Sequence, residues 1–418
     1  MLSEGVVIVI VLVVLALKIS IIVCAWKRHC KESSDANAEL FYNDSRFISL
    51  STVKFLDDME REKPIRFTSK QLRTATDNLS VVVGSGGFGT VYKGTFINGT
   101  PIAVKVLNGS SDKTIKEQFM AEVSNMGRTN HFNLVRIYGF CFESSLRALV
   151  YEFMPNGSLY NHLFNGKKSA IIGFEKLYEI VVGTARGIAY LHEESPQRIV
   201  HYDIKPSNIL LDSRFCAKVA DFGLAKLCDR DNTSITMTGG SGTPGYAAPE
   251  LSLPFPVTHK CDVYSFGMLL FEIIGRRRNY IDVTLGDSQQ WFPLWAWNKY
   301  EKKQLKDLTI VCEIEDKDQE AAERMLKVAL CCVRYKPETR PKMSIIVKML
   351  EGALKVPEPA LNLFSYLFSG ANEPNDSLAR IAWNGGGSSW SPSEVVTKST
   401  VVTGTPLMRR YEITIASD

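Results

Sequence analysis

The sequence lacks a strong excess of charge of either sign. It contains 49 Lys and Arg against 45 Asp and Glu, which leaves a formal net charge of +4. A protein that binds nucleic acid is usually marked by a much larger basic excess. The charge balance therefore argues against nucleic acid as a partner.

The sequence also lacks the cysteine spacing of a disulfide or zinc framework. Its nine cysteines include no Cys-x-x-Cys pair, and no histidines stand at zinc-ligand spacing from them. We interpret them as reduced thiols in a cytosolic compartment. The composition, 45% hydrophobic and 22% charged, excludes wholesale disorder, collagen and coiled coil.

One long apolar run is present, at residues 5–26, with Lys18 as its only charge. As a helix rising about 1.5 Å per residue, it is long enough to cross a hydrocarbon core of about 30 Å. Lys27 and Arg28 follow it, whereas Glu4 precedes it, so the positive-inside rule places residues 1–4 outside the cell. We predict a single transmembrane helix; a cleaved signal peptide and a buried core helix are the alternatives.

Composition divides the rest of the chain into three parts. Residues 27–78 are mostly polar and are predicted to form a juxtamembrane segment, and residues 79–353 have the dense apolar pattern of a globular domain. Residues 354–418 are rich in Pro, Gly, Ser and Thr, and we predict that this tail is disordered. The short outside stub of residues 1–4 is either natural or the remainder of a longer receptor.

The globular part changes character along its length. Its first portion has short β-rich runs at residues 81–83, 90–93, 102–106 and 148–151, separated by glycine turns. Its later portion has apolar residues at helical spacing over residues 174–191 and again over 263–274. We therefore predict an α+β fold with two lobes, a small β-rich one and a larger helical one, with a cleft between them.

A glycine-rich segment lies in the first portion, where Gly84, Gly86 and Gly89 fit the pattern G-x-G-x-x-G. In a dinucleotide-binding unit the last glycine opens a helix. Here it runs into the strand-like residues 90–93, which predicts a strand–turn–strand. Such a turn brings backbone N–H groups over phosphates.

Lys105 follows within a predicted strand, where alternation turns it to the same face as Ala103. A lysine on a surface edge strand is the alternative for this residue alone. Glu122 lies in a predicted amphipathic helix further along the chain. We expect it to pair with Lys105 while the lysine binds a phosphate.

The segment from His201 to Asn208 places a carboxylate, an ammonium and an amide on one short loop. Asp203 can accept or orient a hydroxyl proton, and Lys205 can neutralise phosphoryl charge. Asn208 and Asp221 offer hard oxygen ligands for Mg²⁺. Ala248-Pro249-Glu250 closes the segment that follows.

In order and spacing these motifs resemble those of eukaryotic protein kinases. Gly242-Thr243-Pro244-Gly245-Tyr246, together with residues 67–68, 131–135 and 149–153, resembles the receptor-like serine/threonine kinases of plants, the RLK/Pelle group. Within that group the sequence is most similar to the rust-resistance-type and lectin-receptor-type branch. The resemblance implies the two-lobed kinase fold and a location in the plasma membrane, with the kinase domain in the cytoplasm.

The resemblance also implies roles for individual residues. Asp203 is expected to be the catalytic base and Lys205 to contact the γ-phosphate, while Asn208 and Asp221 hold Mg²⁺, for which Mn²⁺ can substitute. Tyr151 corresponds to the residue at the back of the ATP pocket, and Glu250 and Arg340 to a buried structural ion pair. The residues expected to bind ATP are Val83, Gly84, Ser85, Gly86, Gly87, Phe88, Gly89, Val91, Ala103, Lys105, Glu122, Glu152, Met154 and Leu210.

One position departs from the common kinase pattern. Tyr202 stands where most kinases have an arginine that pairs with a phosphorylated residue of the activation loop, and tyrosine cannot supply that charge. We therefore predict that this loop does not need phosphorylation to become ordered. Its candidate acceptors are Thr233, Ser234, Thr236 and Thr238.

The sequence thus predicts a membrane-anchored serine/threonine kinase that transfers the γ-phosphoryl group of ATP to proteins, including itself, in receptor-type signalling. Its expected partners are protein substrates and a co-receptor or a second copy of the chain. A catalytically inactive signalling scaffold is the alternative from another class, although the catalytic set is complete. A protein secreted after signal cleavage is a third interpretation.

Overall fold

The computed structural model describes residues 64–87, 89–108, 112–126, 129–164, 172–228, 242–251, 257–280, 287–359 and 363–364. The predicted transmembrane segment at residues 5–26 lies outside these ranges. Within them, no helix combines the length and the apolar character needed to cross a bilayer. The predicted membrane anchor therefore stays a prediction.

The chain forms two compact units. The larger includes the described residues between Lys63 and Lys93 and between Ile102 and Asp418, and with them every predicted site residue that the structure describes. In the smaller, the described residues are Gly94–Pro101, which include the end of one strand, a turn and the first residue of the next strand. In this turn the Phe96 N–H donates to the Thr100 carbonyl oxygen at 2.9 Å, and the Gly99 N–H donates to that of Phe96 at 2.8 Å.

A six-stranded sheet forms the first part of the fold, in the order β1-β5-β6-β4-β3-β2. Its buried face is built from β-branched and other apolar residues such as Ile102 and Val104, both fully buried. One helix, α2 (Asp112–Met126), follows β4 in the chain. The strands are β1 (Ile65–Arg66), β2 (Val82–Gly86), β3 (Gly89–Thr95), β4 (Pro101–Leu107), β5 (Ile137–Glu143) and β6 (Leu146–Glu152).

Strand β1 and the helix α1 (Ser69–Ala75) lie within the span predicted as juxtamembrane. β1 pairs in parallel with β5, and a Cβ atom added to Gly139 would lie 2.1 Å from the Ile65 carbonyl oxygen. A reciprocal capping box starts α1: Thr68 Oγ1 accepts from the Gln71 N–H, and Gln71 Oε1 accepts from the Thr68 N–H. Leu72 of α1 is fully buried. These residues therefore pack on the sheet.

The later part of the fold is helical, as predicted. It is built around α5 (Lys260–Gly275), whose residues are buried along nearly its whole length. Helix α4 continues into a π-helical turn, Tyr190–Glu194. The helices are α3 (Leu159–Phe164), α4 (Phe174–Ala189), α5 (Lys260–Gly275), α6 (Asp287–Gln290), α7 (Phe292–Glu301), α8 (Leu305–Val311), α9 (Gln319–Cys332) and α10 (Met343–Leu350). The sheet followed by the helical body confirms the two-lobed α+β prediction.

Two short antiparallel pairs carry the loops of the site. Strand β7 (Arg198–Val200) pairs with β10 (Lys226–Cys228), and β8 (Ile209–Leu211) pairs with β9 (Ala217–Val219). The segment that holds Asp203 runs from β7 to β8. The β8–β9 hairpin then leads to Asp221.

The first residues of the predicted tail also contact the helical part. Phe364 is buried, with its ring 4.9 Å from that of Trp291, and the Tyr300 hydroxyl donates to Glu358. The rest of the predicted disordered tail lies outside the described ranges.

Candidate active site

The glycine-rich segment forms the turn between β2 and β3, which confirms the predicted strand–turn–strand. Ser85 pairs with Thr90, and Gly86 with Gly89. Gly89 has a φ of 145°, and a Cβ added there would lie 2.2 Å from the Val106 carbonyl oxygen. Only glycine fits this position, because the backbone of β4 passes too close for any side chain.

The other predicted residues of this segment lie on the same hairpin, apart from Phe88, which is outside the described residues. Gly84 belongs to β2, and Gly87 lies in the turn. Val83 is 47% exposed, and Val91 is partly buried on β3. The hairpin thus presents backbone and apolar side chains, which suits a cover over a nucleotide.

Lys105 lies on β4 opposite Leu149 of β6, and its side chain reaches two carboxylates. Its Nζ is 2.6 Å from Glu122 Oε1 and 2.8 Å from Asp221 Oδ1. Burial acts to lower the pKa of Lys105, but the two carboxylates more than offset it and raise the pKa above its usual range. Lys105 therefore stays an ammonium throughout the physiological range.

Glu122 has a second partner that the sequence did not reveal. The Tyr151 hydroxyl donates to its Oε2 atom, and both side chains are buried. Tyr151 lies on β6 opposite Ala103 of β4, so its position follows from the strand register. This contact fixes the carboxylate that orients Lys105.

The loop after β7 is anchored by hydrogen bonds to the Asp262 carboxylate of α5. This carboxylate accepts the backbone N–H of His201 at 2.7 Å and that of Tyr202 at 2.8 Å. Burial acts to raise the pKa of Asp262, but hydrogen bonding and charge from His192 lower it, so the group stays ionised. An ionised acceptor strengthens both backbone hydrogen bonds and fixes the loop.

Asp203 is the centre of a compact polar network and is only 3% exposed. Its Oδ1 accepts a hydrogen bond from Thr243 Oγ1 at 2.5 Å, and its Oδ2 is 2.8 Å from Lys205 Nζ. Lys205 Nζ also donates to Thr243 Oγ1 at 2.7 Å, and Asn208 Nδ2 donates to Asp203 Oδ2 at 3.0 Å. Three of the predicted residues are thus brought together.

Thr243 is the residue of this network that sequence reasoning missed. The sequence signal for Thr243 was its position in the run from Gly242 to Tyr246. We used that run only to recognise the resemblance to plant receptor-like kinases. Gly242 has a φ of 107°, and a Cβ added there would lie 3.0 Å from the Tyr202 carbonyl oxygen. That close approach brings the next residue, Thr243, onto the catalytic loop.

The β8–β9 hairpin places Asn208 and Asp221 at the same end. Ile209 pairs with Val219, and the Ala220 N–H donates to the Asn208 carbonyl oxygen at 2.9 Å. Burial acts to raise the pKa of Asp221, but Lys105 lowers it, so this carboxylate is ionised.

The donor set at this end of the hairpin fits a Mg²⁺ ion. Asn208 Nδ2 points at Asp203, which leaves its amide oxygen for another partner, and an anionic carboxylate is the harder second ligand. The described residues contain no cluster of three or more His, Cys, Asp or Glu able to hold a metal. These two side chains would therefore share the ion with phosphate oxygens.

The predicted adenine-side residues lie where the sheet meets the helical part. Glu152 ends β6, and its carboxylate accepts the Arg136 N–H at 2.7 Å. The Met154 carbonyl oxygen accepts the N–H of Gly157, whose own carbonyl oxygen accepts the N–H of Leu211 at 2.8 Å. This chain of hydrogen bonds brings Leu210 of β8 close to the connection between the two parts.

Tyr202 is buried, at 2% exposure, and has a φ of 64°. Its hydroxyl finds no hydrogen-bond partner in the described part of the chain. Burial raises its pKa far above the usual range, so the ring stays neutral. Tyr202 therefore fills its position with apolar bulk, and the candidate acceptors from Thr233 to Thr238 lie outside the described residues.

The ion pair expected between Glu250 and Arg340 is present in the helical part. Arg340 Nη1 is 2.5 Å from Glu250 Oε1, and Nη2 is 2.9 Å from Oε2. Arg340 also donates to the carbonyl oxygens of Arg334, Lys260 and Tyr335. All five of its N–H donors are thereby used.

A two-lobed fold that brings these carboxylate, ammonium and amide groups together is typical of a protein kinase. Residues 78–350 match the family described as "Protein tyrosine and serine/threonine kinase", and the chain belongs to that family.

Its relatives are receptor-like kinases of plants. It is 43% identical over 314 residues to the rust resistance kinase Lr10 of Triticum aestivum, covering 74% of this chain and 49% of that protein. It is 45% identical over 298 residues to the G-type lectin S-receptor-like serine/threonine-protein kinase SD2-5 of Arabidopsis thaliana, covering 71% and 36%. The chain thus spans less than half the length of either relative.

Proposed function

We propose that this protein is a serine/threonine kinase that transfers the γ-phosphoryl group of ATP to protein hydroxyls, its own included, in receptor-type signalling. The observation that carries the proposal is the joint arrangement of Asp203, Lys205 and Thr243 beside the Lys105–Glu122 pair. The names of the relatives support the choice of serine and threonine as acceptors.

The reaction forms a bond between the acceptor oxygen and the γ-phosphorus and breaks the bond from that phosphorus to the bridging oxygen of ADP. The acceptor hydroxyl would approach Asp203, which takes its proton as the new bond forms. Lys205, held by Asp203 and Thr243, would stabilise the negative charge on the transferring group.

ATP would be held by the β2–β3 hairpin above and by Lys105 at its α- and β-phosphates. The ammonium is presented by Glu122, which is itself fixed by Tyr151. A Mg²⁺ ion at Asn208 and Asp221, or Mn²⁺ in its place, would neutralise phosphate charge when bound. Glu152, Met154 and Leu210 would form the adenine side of the site.

The test is transfer of labelled phosphate by the purified full-length chain to a general protein substrate and to itself. Label should appear on serine and threonine, and Asp203→Asn should reduce the rate by at least about a thousandfold. Asp307→Asn, an exposed carboxylate on α8, is the matched control and should keep the wild-type rate. ATP binding by the wild type without any transfer would instead support the scaffold.

We further propose that residues 5–26 anchor the kinase in the plasma membrane with its catalytic part in the cytoplasm. The support is the length of the apolar run and the basic residues that follow it. The protein expressed in plant cells should stay in the membrane pellet after alkaline carbonate extraction. Release into the supernatant would contradict the anchor.

A further inference from the structure

The structure presents an exposed arginine, Arg278, that contacts helix α3. It follows α5 in a run of three arginines. Arg276 donates to the Ile172 carbonyl oxygen at 2.7 Å, and Arg277 donates to that of Gln289 at 2.6 Å. Arg278 contacts α3, the helix that packs on residues 206–208.

Two aromatic rings of α3 hold the Arg278 side chain in place. Its guanidinium carbon lies 4.7 Å from the centre of the Tyr160 ring and 4.6 Å from that of Phe164. Its Nη2 also donates to the Tyr160 hydroxyl at 2.8 Å. The group is therefore pre-organised, which lowers the entropy lost when an anion binds to it.

The charge of Arg278 is not used by an ion pair within the part of the chain that the structure describes. No carboxylate forms one with it among the residues that the structure describes, although Glu272 lies near enough to act on its pKa. The Glu272 carboxylate is already engaged, because it accepts the Tyr246 hydroxyl at 2.5 Å and the Asn279 N–H at 3.1 Å. The exposed edge of the guanidinium can therefore bind a further anion.

The position of Arg278 relative to Asp203 follows from the segment at Thr243. Thr243 bonds Asp203, and its carbonyl oxygen accepts the Tyr246 N–H at 3.1 Å, so Tyr246 lies one turn further on. The Tyr246 hydroxyl donates to Glu272, which also accepts the backbone N–H of Asn279, the residue after Arg278. The Cα atoms at the two ends of such a turn lie less than about 7 Å apart. With the length of the Tyr246 side chain added, the separation is one that an extended peptide of a few residues can span.

We propose that Arg278 is a specificity-determining residue that selects substrates carrying an anionic side chain, acidic or phosphorylated, within a few residues of the acceptor hydroxyl. This inference rests on the proposed kinase function. It assigns a substrate class to the same site: serine or threonine in an acidic or already phosphorylated segment.

The test measures kcat/KM of the full-length chain on peptides with one threonine in an otherwise neutral sequence. Aspartate is moved through each flanking position, and parallel series carry lysine or phosphoserine there. In the wild type, aspartate at one position should raise kcat/KM about fivefold to tenfold, whereas lysine there should lower it. A larger gain with phosphoserine would identify phosphorylated segments as the natural substrates; equal gains would identify acidic ones.

The variants separate recognition from structure. Arg278→Gln should remove the preference, and Arg278→Glu should reverse it in favour of lysine, a reversal that loss of packing on α3 cannot produce. Arg214→Glu changes another exposed arginine over an aromatic ring, at 6.0 Å from the centre of Phe132, and should keep the wild-type preference.

Two results would overturn the inference while leaving the kinase proposal intact. One is a flat wild-type profile in a protein that phosphorylates itself. The other is an unchanged preference in a folded Arg278→Gln protein. A wild type that transfers phosphate to no peptide and not to itself would instead overturn the proposed function.

Discussion

Two buried ionic clusters, one beside the sheet and one in the helical part, use the same chemistry for different ends. In the pair of Glu250 and Arg340, every guanidinium donor is satisfied inside the protein. Around Lys105, by contrast, Asp221 keeps a quarter of its side chain exposed. We call the Glu250–Arg340 pair the closed cluster, because all of its donors serve to stabilise the fold. We call the group around Lys105 the open cluster, because it keeps charge available for a ligand.

The largest effect is expected where the open cluster is broken. Lys105→Met should reduce phosphoryl transfer by at least about a thousandfold, because the ammonium that would bind the phosphates is lost. The melting temperature should fall less than in a cluster without solvent contact, because Asp221 keeps a quarter of its side chain exposed and the Tyr151 hydroxyl still donates to Glu122. Radiolabel transfer and differential scanning calorimetry on the same sample measure the two quantities. A variant that unfolds would show that this cluster is also structural.

The closed cluster should show the opposite response. Glu250→Gln leaves the buried Arg340 charge without its counter-ion, which should cost about 3–5 kcal/mol of unfolding free energy. For a domain of this size that corresponds to a fall of roughly 10 °C in melting temperature.

The matched control for Glu250→Gln replaces both partners, as Glu250→Leu with Arg340→Met. It should recover part of the lost stability, because no buried charge is then unpaired. The recovery is incomplete because the carbonyl oxygens of Arg334, Lys260 and Tyr335 lose their Arg340 donor. Equal losses in the single and double variants would mean that the pair does not act as a unit.

The protonation state of His259, in the helical part, is set by its surroundings. Burial, and then the charge of His192, lowers the pKa of His259 from 6.5 to about 3. The unfolded chain takes up a proton below pH 6.5 that the folded chain does not, so stability falls as the pH falls from 6.5 towards 3.

His259→Asn should remove part of that pH dependence, about 2 kcal/mol after allowance for the exposed fraction of the ring. Urea unfolding at pH 6.5 and pH 4.5 measures it. An equal slope in the variant and the wild type would show that His259 is not the group responsible.

The smallest effect is expected in the activation loop. Because Tyr202 offers no positive charge to a phosphate, alanine at Thr233, Ser234, Thr236 and Thr238 together should leave activity within a few-fold of the wild type. Initial rates on a fixed protein substrate measure this. A hundredfold loss would show that phosphorylation orders the loop despite the buried tyrosine.

Local patterns predicted much of the fold. The glycine spacing before residues 90–93 indicated a hairpin, and the alternation around Lys105 placed it on a strand, because both signals depend on residues close in sequence. The hypothesis for Asp203, Lys205 and Asn208 had the same basis, since one short loop carries all three, and the structure brings their side chains together.

The features that were missed join residues distant in sequence. The Tyr151 hydroxyl meets Glu122 only through the register of β6 on β4 and the packing of α2, and Thr243 meets Asp203 only through the close approach at Gly242. Residues 64–78 look polar, yet Leu72 is buried and β1 joins the sheet. No local period encodes such contacts.

Strand β1 covers part of an edge of the sheet. The outer strand of a sheet presents unpaired N–H and C=O groups that can template pairing with another chain. At Gly139 and Phe140 that role is already taken by Ile65 and Arg66. A fragment that starts at residue 79 would expose this part of β5 and should form soluble aggregates on size-exclusion chromatography, whereas one that starts at residue 60 should not. The residues that lead into the domain thus also protect it from polymerising through its own sheet.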